Sequence, residues 1–175
     1  MKRNLRIAIP FVLFGIGIAT WQAARPVPPT TTLAASFSPV PSGFVHVIRV
    51  VDGDTIVVDG NQKVRFVGVN TPETVSPTKP VQCYGPEASA FMKSLLVPGT
   101  PVRLVKDISE TDKYGRLLRY VYMEDGTFVN LVLVQDGYAQ VNTYPPDIAH
   151  AHEFQTAQAA AKAAGRGMWS ACPMQ

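Results

Sequence analysis

The sequence predicts an α+β fold, namely a five-stranded, OB-like Greek-key β-barrel with three packed helices. Two observations lead to this prediction. Five short segments rich in β-branched residues lie between residues 43 and 122, and turn signals separate them. Segments with helical periodicity follow the third and the fifth of these strands. Strands and helices in this order favour a small closed barrel with helices packed on it.

The first three predicted strands form a meander. The turns between them lie at Asp52-Gly53 and at Gly60-Asn61, and both dipeptides are frequent in tight turns. The last two strands flank a polar loop, residues 107–116. In chain order, the predicted strands cover residues 43–51, 55–59, 63–69, 101–106 and 117–122.

Three segments are predicted to be helices. The first has Pro86 and Glu87 in its opening turn, and Val97-Pro98-Gly99 ends it. The second is closed by Gly137 and the third by Gly165. The predicted helices cover residues 84–97, 129–135 and 149–164.

The 175 residues suit one domain, residues 43–175, with an N-terminal extension. Three basic residues precede an apolar run, residues 7–21, so residues 1–24 are predicted to be a secretory signal or an uncleaved membrane anchor. This run is short for a membrane span. Residues 25–42 contain five prolines and no acidic residue, which predicts a linker. We expect an exported protein that is secreted, periplasmic or anchored to the outer face of the cytoplasmic membrane.

The net charge of +3 does not indicate a basic nucleic-acid-binding surface. Residues 1–41 hold four Lys or Arg and no acidic residue, whereas residues 42–175 hold twelve basic and thirteen acidic residues, a net charge of 12 − 13 = −1. Any affinity for phosphate must therefore come from a few clustered cations and a metal ion.

The two cysteines, Cys83 and Cys172, both belong to the predicted domain. An oxidising compartment favours a disulfide between them, and closing so long a loop stabilises a domain by roughly 4 kcal/mol in the chain-entropy model. Two unlinked thiols are the alternative, and metal binding by two cysteines alone is the least favoured one.

Three polar segments contain the groups needed to cut a phosphodiester. They supply oxygen ligands for a hard cation, two guanidinium groups and one carboxylate that can act as a base. Guanidinium groups bind the non-bridging oxygens of a phosphate, and a divalent cation neutralises further charge in the transition state. The segments are Asp52–Thr55, Arg65–Glu73 and Thr111–Arg116.

Five motifs in order, from about Val45 to about Trp169, make the chain similar to the staphylococcal nuclease (thermonuclease) family. They are Asp-Gly-Asp-Thr at 52–55, Thr-Pro-Glu at 71–73, Tyr-Gly-Pro-Glu-Ala at 84–88, Asp-Lys-Tyr-Gly-Arg at 112–116 and Trp-Ser at 169–170. The resemblance implies the same barrel and a calcium-dependent nuclease that hydrolyses DNA and RNA with little sequence preference. It further implies attack by water and 3′-phosphate products. We expect a monomer without an obligate protein partner.

The resemblance also implies metal and catalytic residues. Asp54 would bind Ca²⁺ directly, Thr71 would add its backbone carbonyl, and Asp52 would orient water or the Asp54 carboxylate. Arg65 would hold the scissile phosphate, where the alternative is an ordinary exposed strand residue. Glu73 would act as general base or orient the attacking water, and Arg116 would stabilise charge or donate a proton at the leaving oxygen.

The resemblance further implies which residues contact the substrate. Lys113 and Tyr114 would contact the terminal phosphate of a bound nucleotide, although such a pentapeptide alone is typical of a polar turn. Tyr144 corresponds to a family aromatic residue that stacks near a base. Asn142 stands where the family has another aromatic residue, which reduces the expected stacking platform.

Asn70 is the departure that matters most, because the best-known family member has an aspartate ligand there. An amide oxygen can bind calcium but brings no charge, so some affinity is lost. The main alternative is therefore a catalytically weak nucleic-acid-binding module on the same fold. A cell-surface interaction protein with a degenerate nuclease fold has no feature in its favour. The presence of Arg65, Glu73 and Arg116 favours the enzyme.

Overall fold

The first, second, third, fifth and sixth strands of the molecule close into a barrel. The computed structural model describes residues 43–76, 78 and 80–172, so the predicted signal or anchor, its apolar run and the linker lie outside the described residues. The strands are β1 (Phe44–Val50), β2 (Thr55–Val58), β3 (Gln62–Phe66), β4 (Gly68–Asn70), β5 (Pro101–Val105), β6 (Leu117–Met123) and β7 (Gln140–Asn142).

The order of strands around the barrel is β1-β2-β3-β6-β5. All neighbours are antiparallel except β3 and β6, which are parallel, and β5 pairs with β1 to close the sheet. A meander followed by a closing pair in this order is the Greek-key arrangement of an OB-like barrel. The predicted fold class is therefore confirmed.

The predicted third strand, residues 63–69, is wrong as a single element. The chain breaks at Val67 and continues as β4, which leaves the barrel and forms a separate two-stranded sheet with β7. Gly68 causes the break, because its φ of +78° is a left-handed conformation that interrupts a strand. A Cβ atom there would also lie 2.5 Å from the ring of Phe154. The sequence pattern predicted neither the break nor β7.

The helices pack against the barrel and β4. Their bounds agree with the three predicted helices to within two residues at each end, and a fourth short helix was not predicted. Asn130, on the second helix, is fully buried and links this helix to β6 and to the break between β3 and β4. Its side chain accepts from Val121 N and donates to Val67 O. The helices are α1 (Gly85–Leu95), α2 (Val129–Gln135), α3 (Ala151–Ala163) and α4 (Met168–Ala171).

One hydrophobic core fills the barrel and continues beneath the helices. Apolar residues of the barrel strands meet Met92 and Leu96 from the α1 region, Leu133 from α2 and Phe154 from α3. This continuous core fixes the barrel strands relative to the loops that they carry. Among the described residues, no helix has the length and apolar character needed to cross a membrane.

Candidate active site

Seven of the residues singled out in the sequence line one polar cavity of about 160 Å³. Pro72 is the eighth residue of its wall. The proposed catalytic and metal-binding groups thus come together, although they are separated by up to 64 residues of sequence. The seven are Asp52, Asp54, Arg65, Asn70, Thr71, Glu73 and Arg116.

Strand register brings these side chains together. Thr55, the first residue of β2, lies opposite Arg65 on β3, and Arg65 lies beside Leu118 on β6. Because β2, β3 and β6 are neighbours, Asp54 at the start of β2 and Arg116 just before β6 both lie near Arg65. The end of β3 then leads through β4 directly into Asn70 and Thr71.

The Asp52–Asp54 turn is packed tightly against Thr71. A Cβ atom at Gly53 would lie 2.7 Å from the Thr71 side chain, so a larger residue would force the two apart. Within the turn, Asp54 N donates to Asp52 Oδ1 at 3.0 Å. The glycine therefore allows two carboxylates to sit on one turn beside the Thr71 backbone.

The Asp54 carboxylate is buried and accepts from three groups. Thr71 N lies 2.8 Å from Oδ2, Thr55 Oγ1 lies 3.1 Å from Oδ1, and Arg65 Nη2 lies 3.1 Å from Oδ2. Charge-assisted bonds of this kind fix the position of a buried carboxylate. Asp54 is thus held rigidly at the cavity wall.

Asp52 is less well compensated, although Asp54 N donates to its Oδ1. Burial and the nearby Asp54 carboxylate raise the pKa of Asp52 from its ordinary value of 3.8 to about 6. Two carboxylates that repel each other in a partly buried turn are stabilised by a bound cation. This electrostatic property fits a metal site.

Arg65 is almost fully engaged by the protein, which contradicts the alternative of an exposed strand residue. Its side chain is 13% exposed. Nη1 donates to the carbonyls of Phe66 and Val69, both at 2.9 Å, and Nη2 donates to Asn70 Oδ1 at 3.1 Å in addition to pairing with Asp54. The guanidinium therefore lies against the same carboxylate and amide that were predicted to bind the metal.

Asn70 connects Arg65 with Thr71. Its Oδ1 accepts from Arg65 Nη2, and its Nδ2 lies 3.3 Å from the Thr71 carbonyl oxygen. The predicted ligand oxygens of residues 54, 70 and 71 consequently form one hydrogen-bonded group. An incoming cation would compete with Arg65 for the oxygens of Asp54 and Asn70.

The donor set fits a hard cation of modest affinity. No cluster of three His, Cys, Asp or Glu occurs within residues 43–76, 78 and 80–172, so the candidate ligands include an amide and a backbone carbonyl. Carboxylate, amide and carbonyl oxygens are the ligands that Ca²⁺ prefers, and few charges give weak binding. Asp54, Asn70 and Thr71 would hold the ion, with Asp52 nearby.

Glu73 is fixed by its own loop. Oε1 accepts from the backbone N–H groups of Thr74, Val75 and Ser76 at 2.8–3.0 Å. Oε2 has no hydrogen-bond partner among the described residues, and Glu73 is one of the residues that line the cavity. One oxygen thus anchors the carboxylate, and the other is able to accept a hydrogen bond from a water molecule.

Arg116 is oriented by Asp112, to which the sequence analysis assigned no role. Asp112 Oδ2 lies 2.7 Å from both Nε and Nη2 of Arg116. The remaining nitrogen, Nη1, faces Thr55 Oγ1 at 3.5 Å. Burial tends to raise the pKa of Asp112, but hydrogen bonds from Arg116 and from Tyr114 N lower it overall. An Asp three residues before a Gly, as here before Gly115, is the sequence signal of such a turn.

The three predicted substrate-binding residues lie outside the cavity wall. Tyr114 and Tyr144 are 72% and 77% exposed. The Tyr114 ring lies beneath two cations, with Lys113 Nζ 5.1 Å and Arg116 Cζ 5.5 Å from its centroid. Tyr114 and Lys113 therefore adjoin the cavity through Arg116. No contact in the described part of the chain joins Tyr144 to these residues.

Cys83 and Cys172 form a disulfide in the structure, with a Cα–Cα distance of 5.9 Å. The bond joins Cys83, two residues before α1, to Cys172, which directly follows α4, across a sequence separation of 89. It thereby connects the segment that follows the Glu73 loop with the C-terminal helix.

The sequence is similar to a family of nucleases and to individual nucleases of known name. The sequence pattern of the family described as staphylococcal nuclease homologue matches residues 63–171. The thermonuclease of Staphylococcus hyicus is 44% identical over 71% of this chain and 74% of its own length, and that of Staphylococcus intermedius is 43% identical over 69% and 73%. Endonuclease YncB of Bacillus subtilis (strain 168) is 40% identical over 70% of this chain and 59% of its own length. The expected resemblance is confirmed, and the chain belongs to the staphylococcal nuclease homologue family.

Proposed function

We propose that the protein is a metal-dependent nuclease that hydrolyses DNA and RNA phosphodiesters with low sequence specificity. The observation that supports this most directly is the single cavity that holds Arg65, Arg116, Glu73 and Asp54. Family membership and relatives named thermonuclease and endonuclease support the same reaction class. Ca²⁺ is the metal that the donor set favours.

Arg116 is the group best suited to stabilise the transition state. Asp112 holds two of its nitrogens, while Nη1 retains donors for the phosphate. A guanidinium held rigidly by a carboxylate needs no reorganisation when charge grows on the phosphate oxygens. Arg116 also lies beside the exposed Tyr114 and Lys113, where the leaving side of the substrate can extend. With Arg116 in this role we propose departure of the 5′-oxygen and a 3′-phosphate product, as the family resemblance implies.

Glu73 and Arg65 line the same cavity as Arg116. The free Oε2 of Glu73 accepts a proton from, or orients, the attacking water. Arg65 would bind the phosphate through its guanidinium, which in this structure is bonded to Asp54 and Asn70. A bound Ca²⁺, held by Asp54, Asn70 and the Thr71 carbonyl, would neutralise charge on the phosphate and position it.

Low sequence specificity is consistent with what the site offers. The phosphate-binding groups of the cavity are Arg65 and Arg116, and contacts to phosphates carry no direct information about the bases. Tyr144 would add a stacking surface that every base can use. We propose further that the protein acts outside the cytoplasm, on the basis of the apolar run at residues 7–21 and the Cys83–Cys172 disulfide.

The test is cleavage of plasmid DNA and of a labelled RNA with calcium, with magnesium and with chelator. We expect cleavage that needs a divalent cation, and losses of at least about 10²-fold in kcat for Arg116→Ala and Glu73→Gln. Arg49→Ala is the matched control, because Arg49 is exposed on β1, away from the cavity. Equal rates for the folded Arg116→Ala and Arg49→Ala proteins would contradict the proposal. Binding of DNA without metal-dependent cleavage would instead support the weak binding module.

A further inference from the structure

Gln82 makes two hydrogen bonds to the residue proposed as the catalytic base. Its side-chain Oε1 accepts from Glu73 N at 2.8 Å, and its backbone N donates to Glu73 O at 2.9 Å. Both backbone polar groups of Glu73 are therefore bound by one residue nine positions later. Gln82 is itself exposed, so its side chain is not needed to fill the core.

The hydrogen bonds between Gln82 and the Glu73 backbone matter because, among the described residues, the Glu73 carboxylate is bound only by its own loop. Its Oε1 bonds only to the N–H groups of residues 74–76 in the described part of the chain, and these belong to the same loop. The carboxylate and its three donors can move as one unit unless the loop is held elsewhere. The hydrogen bonds between Glu73 and Gln82 join the two ends of the loop that runs from residue 73 to residue 82. They therefore fix this loop at Glu73 itself.

The start of α1 holds Gln82 against Glu73. Gly85 N donates to Gln82 O at 3.0 Å. A Cβ atom at Gly85 would lie 3.0 Å from Glu73 O and 2.7 Å from the Thr74 side chain. The helix terminus therefore approaches the Glu73 peptide as closely as a glycine allows.

The disulfide anchors the same segment from the other side. Cys83 directly follows Gln82 and is bonded to Cys172 at the end of α4. Helix α4 is attached in turn to the α2 end, where Met168 N donates to Gly137 O at 2.9 Å. A chain of covalent and hydrogen bonds thus runs from the C-terminal helix to the Glu73 backbone.

From these contacts we propose that Gln82 is a positioning residue for Glu73, and that the Cys83–Cys172 disulfide anchors Gln82 in this role. The inference rests on the proposed nuclease function in assigning the base to Glu73. Gln82 touches no reacting atom. It acts by fixing the position of Glu73 at the cavity wall, so its loss should lower turnover and leave metal and substrate binding intact.

The experiment compares Gln82→Ala and Gln82→Glu with the matched control Gln155→Ala, which removes an exposed glutamine from α3. Gln82→Ala should lower kcat about tenfold, the value of one lost hydrogen bond, with KM changed less than about twofold. Gln82→Glu keeps an oxygen acceptor for Glu73 N and should recover most of the loss. Equal kcat for Gln82→Ala and Gln155→Ala, or no recovery in Gln82→Glu, would overturn the proposal.

Amide hydrogen exchange gives a readout that does not depend on activity. The amides of Thr74, Val75 and Ser76 should exchange faster in Gln82→Ala than in wild type, while the barrel amides stay unchanged. This measurement tests the positioning role even if the wild-type protein fails to cleave nucleic acid, an outcome that would contradict the nuclease proposal alone. Unchanged exchange at all three amides would overturn the positioning role.

A double-mutant cycle tests the part played by the disulfide. Cys83→Ser/Cys172→Ser should speed exchange at the same three amides in the wild-type background, and should add little once Gln82 is alanine, because both changes release the same contact. Additive effects, or an effect of the cysteine variant on the barrel amides only, would show that the disulfide does not act through Gln82.

Discussion

Asn70 sets the number of charges that face the metal ion. With an amide at this position, Asp54 is the only ionised side chain among the three proposed direct ligands, and the Asn70 oxygen is already shared with Arg65. Asn70→Asp adds one charge at the same atom, so we expect calcium to bind about tenfold more tightly. Asn70→Ala removes the oxygen and should abolish most metal-dependent cleavage. Calorimetric titration with CaCl₂ measures the affinities.

Tighter binding need not increase turnover, because an added anion beside the phosphate also opposes charge build-up in the transition state. Asn61→Asp is the matched control, since Asn61 lies in the turn between β2 and β3 and outside the cavity. If wild type, Asn70→Asp and Asn70→Ala bind calcium equally well, residue 70 is not a ligand.

The raised pKa of Asp52 predicts a pH-dependent stability of the metal-free protein. The pKa of Asp52 is about 6 in the folded state and 3.8 in the unfolded state, so the folded state binds the proton more tightly. The stabilisation that the bound proton gives the folded state is complete below about pH 4 and is lost as the pH rises through 6. Asp52→Asn keeps an acceptor for Asp54 N and removes the repulsion. It should therefore be more stable than wild type above pH 6, by about 3 kcal/mol, and equal to it below pH 4.

Urea unfolding in chelator at several pH values measures this difference. Asp125→Asn provides a control of opposite sign, because a hydrogen bond from Thr127 N lowers the pKa of Asp125 and its contribution is lost as the pH falls. A constant difference between Asp52→Asn and wild type from pH 4 to pH 8 would contradict the assignment.

Residues in contiguous motifs could be found from the sequence, whereas residues that act by orienting others could not. Asp54 and Arg116 belong to short polar segments of recognisable chemistry. Asp112 and Gln82 acquire their roles through hydrogen bonds to Arg116 and Glu73 that exist only after folding. A hydrogen bond made by a loop residue leaves no periodicity in the sequence. The spacing of Asp112 and Gly115 indicates a turn but not the partner of Asp112, and no comparable pattern marks Gln82.

Among the secondary-structure elements, the break between β3 and β4 is a feature that the pattern of apolar residues did not predict. Residues 63–69 resemble one strand because their apolar residues are continuous, and a single glycine gives a weak signal for a break. β7 has three residues and α4 has four, which is too short for a measurable period. The longer elements were predicted because each contains at least one full period of apolar residues.

The same break yields a prediction for stability. Gly68→Ala puts a Cβ atom 2.5 Å from the Phe154 ring and forces a left-handed φ on alanine. We expect a loss of about 3 kcal/mol in the free energy of unfolding, from overpacking of the core and backbone strain together. Equilibrium urea unfolding followed by fluorescence measures it.

Gly126→Ala separates the two causes, because Gly126 has a φ of +89° and an added Cβ atom there would have no neighbouring atom within 4 Å. It should cost about 1 kcal/mol, which is the strain alone. Equal losses for Gly68→Ala and Gly126→Ala would mean that the Phe154 contact does not hold β4 against α3.

For the molecule as a whole, the charge distribution predicts how binding responds to salt. Residues 42–175 have a net charge of −1, so nucleic acid meets no generally basic surface. Among the described residues, three cations adjoin the cavity or its exposed edge, namely Arg65, Arg116 and Lys113. If these three neutralise three phosphates of a single strand, log K should fall with log salt with a slope of about −2.

Fluorescence anisotropy with a labelled single-stranded oligonucleotide and the Glu73→Gln variant measures this slope without cleavage. Lys113→Ala in that background should make the slope shallower by about 0.7, because one phosphate contact is lost. Lys93→Ala, an exposed lysine on α1, should leave it unchanged. A slope steeper than about −5 would require many more phosphate contacts than the cavity region provides. Substrate would then follow a path along the surface that includes cations far from Arg116, and the low net charge of the domain would not limit its affinity.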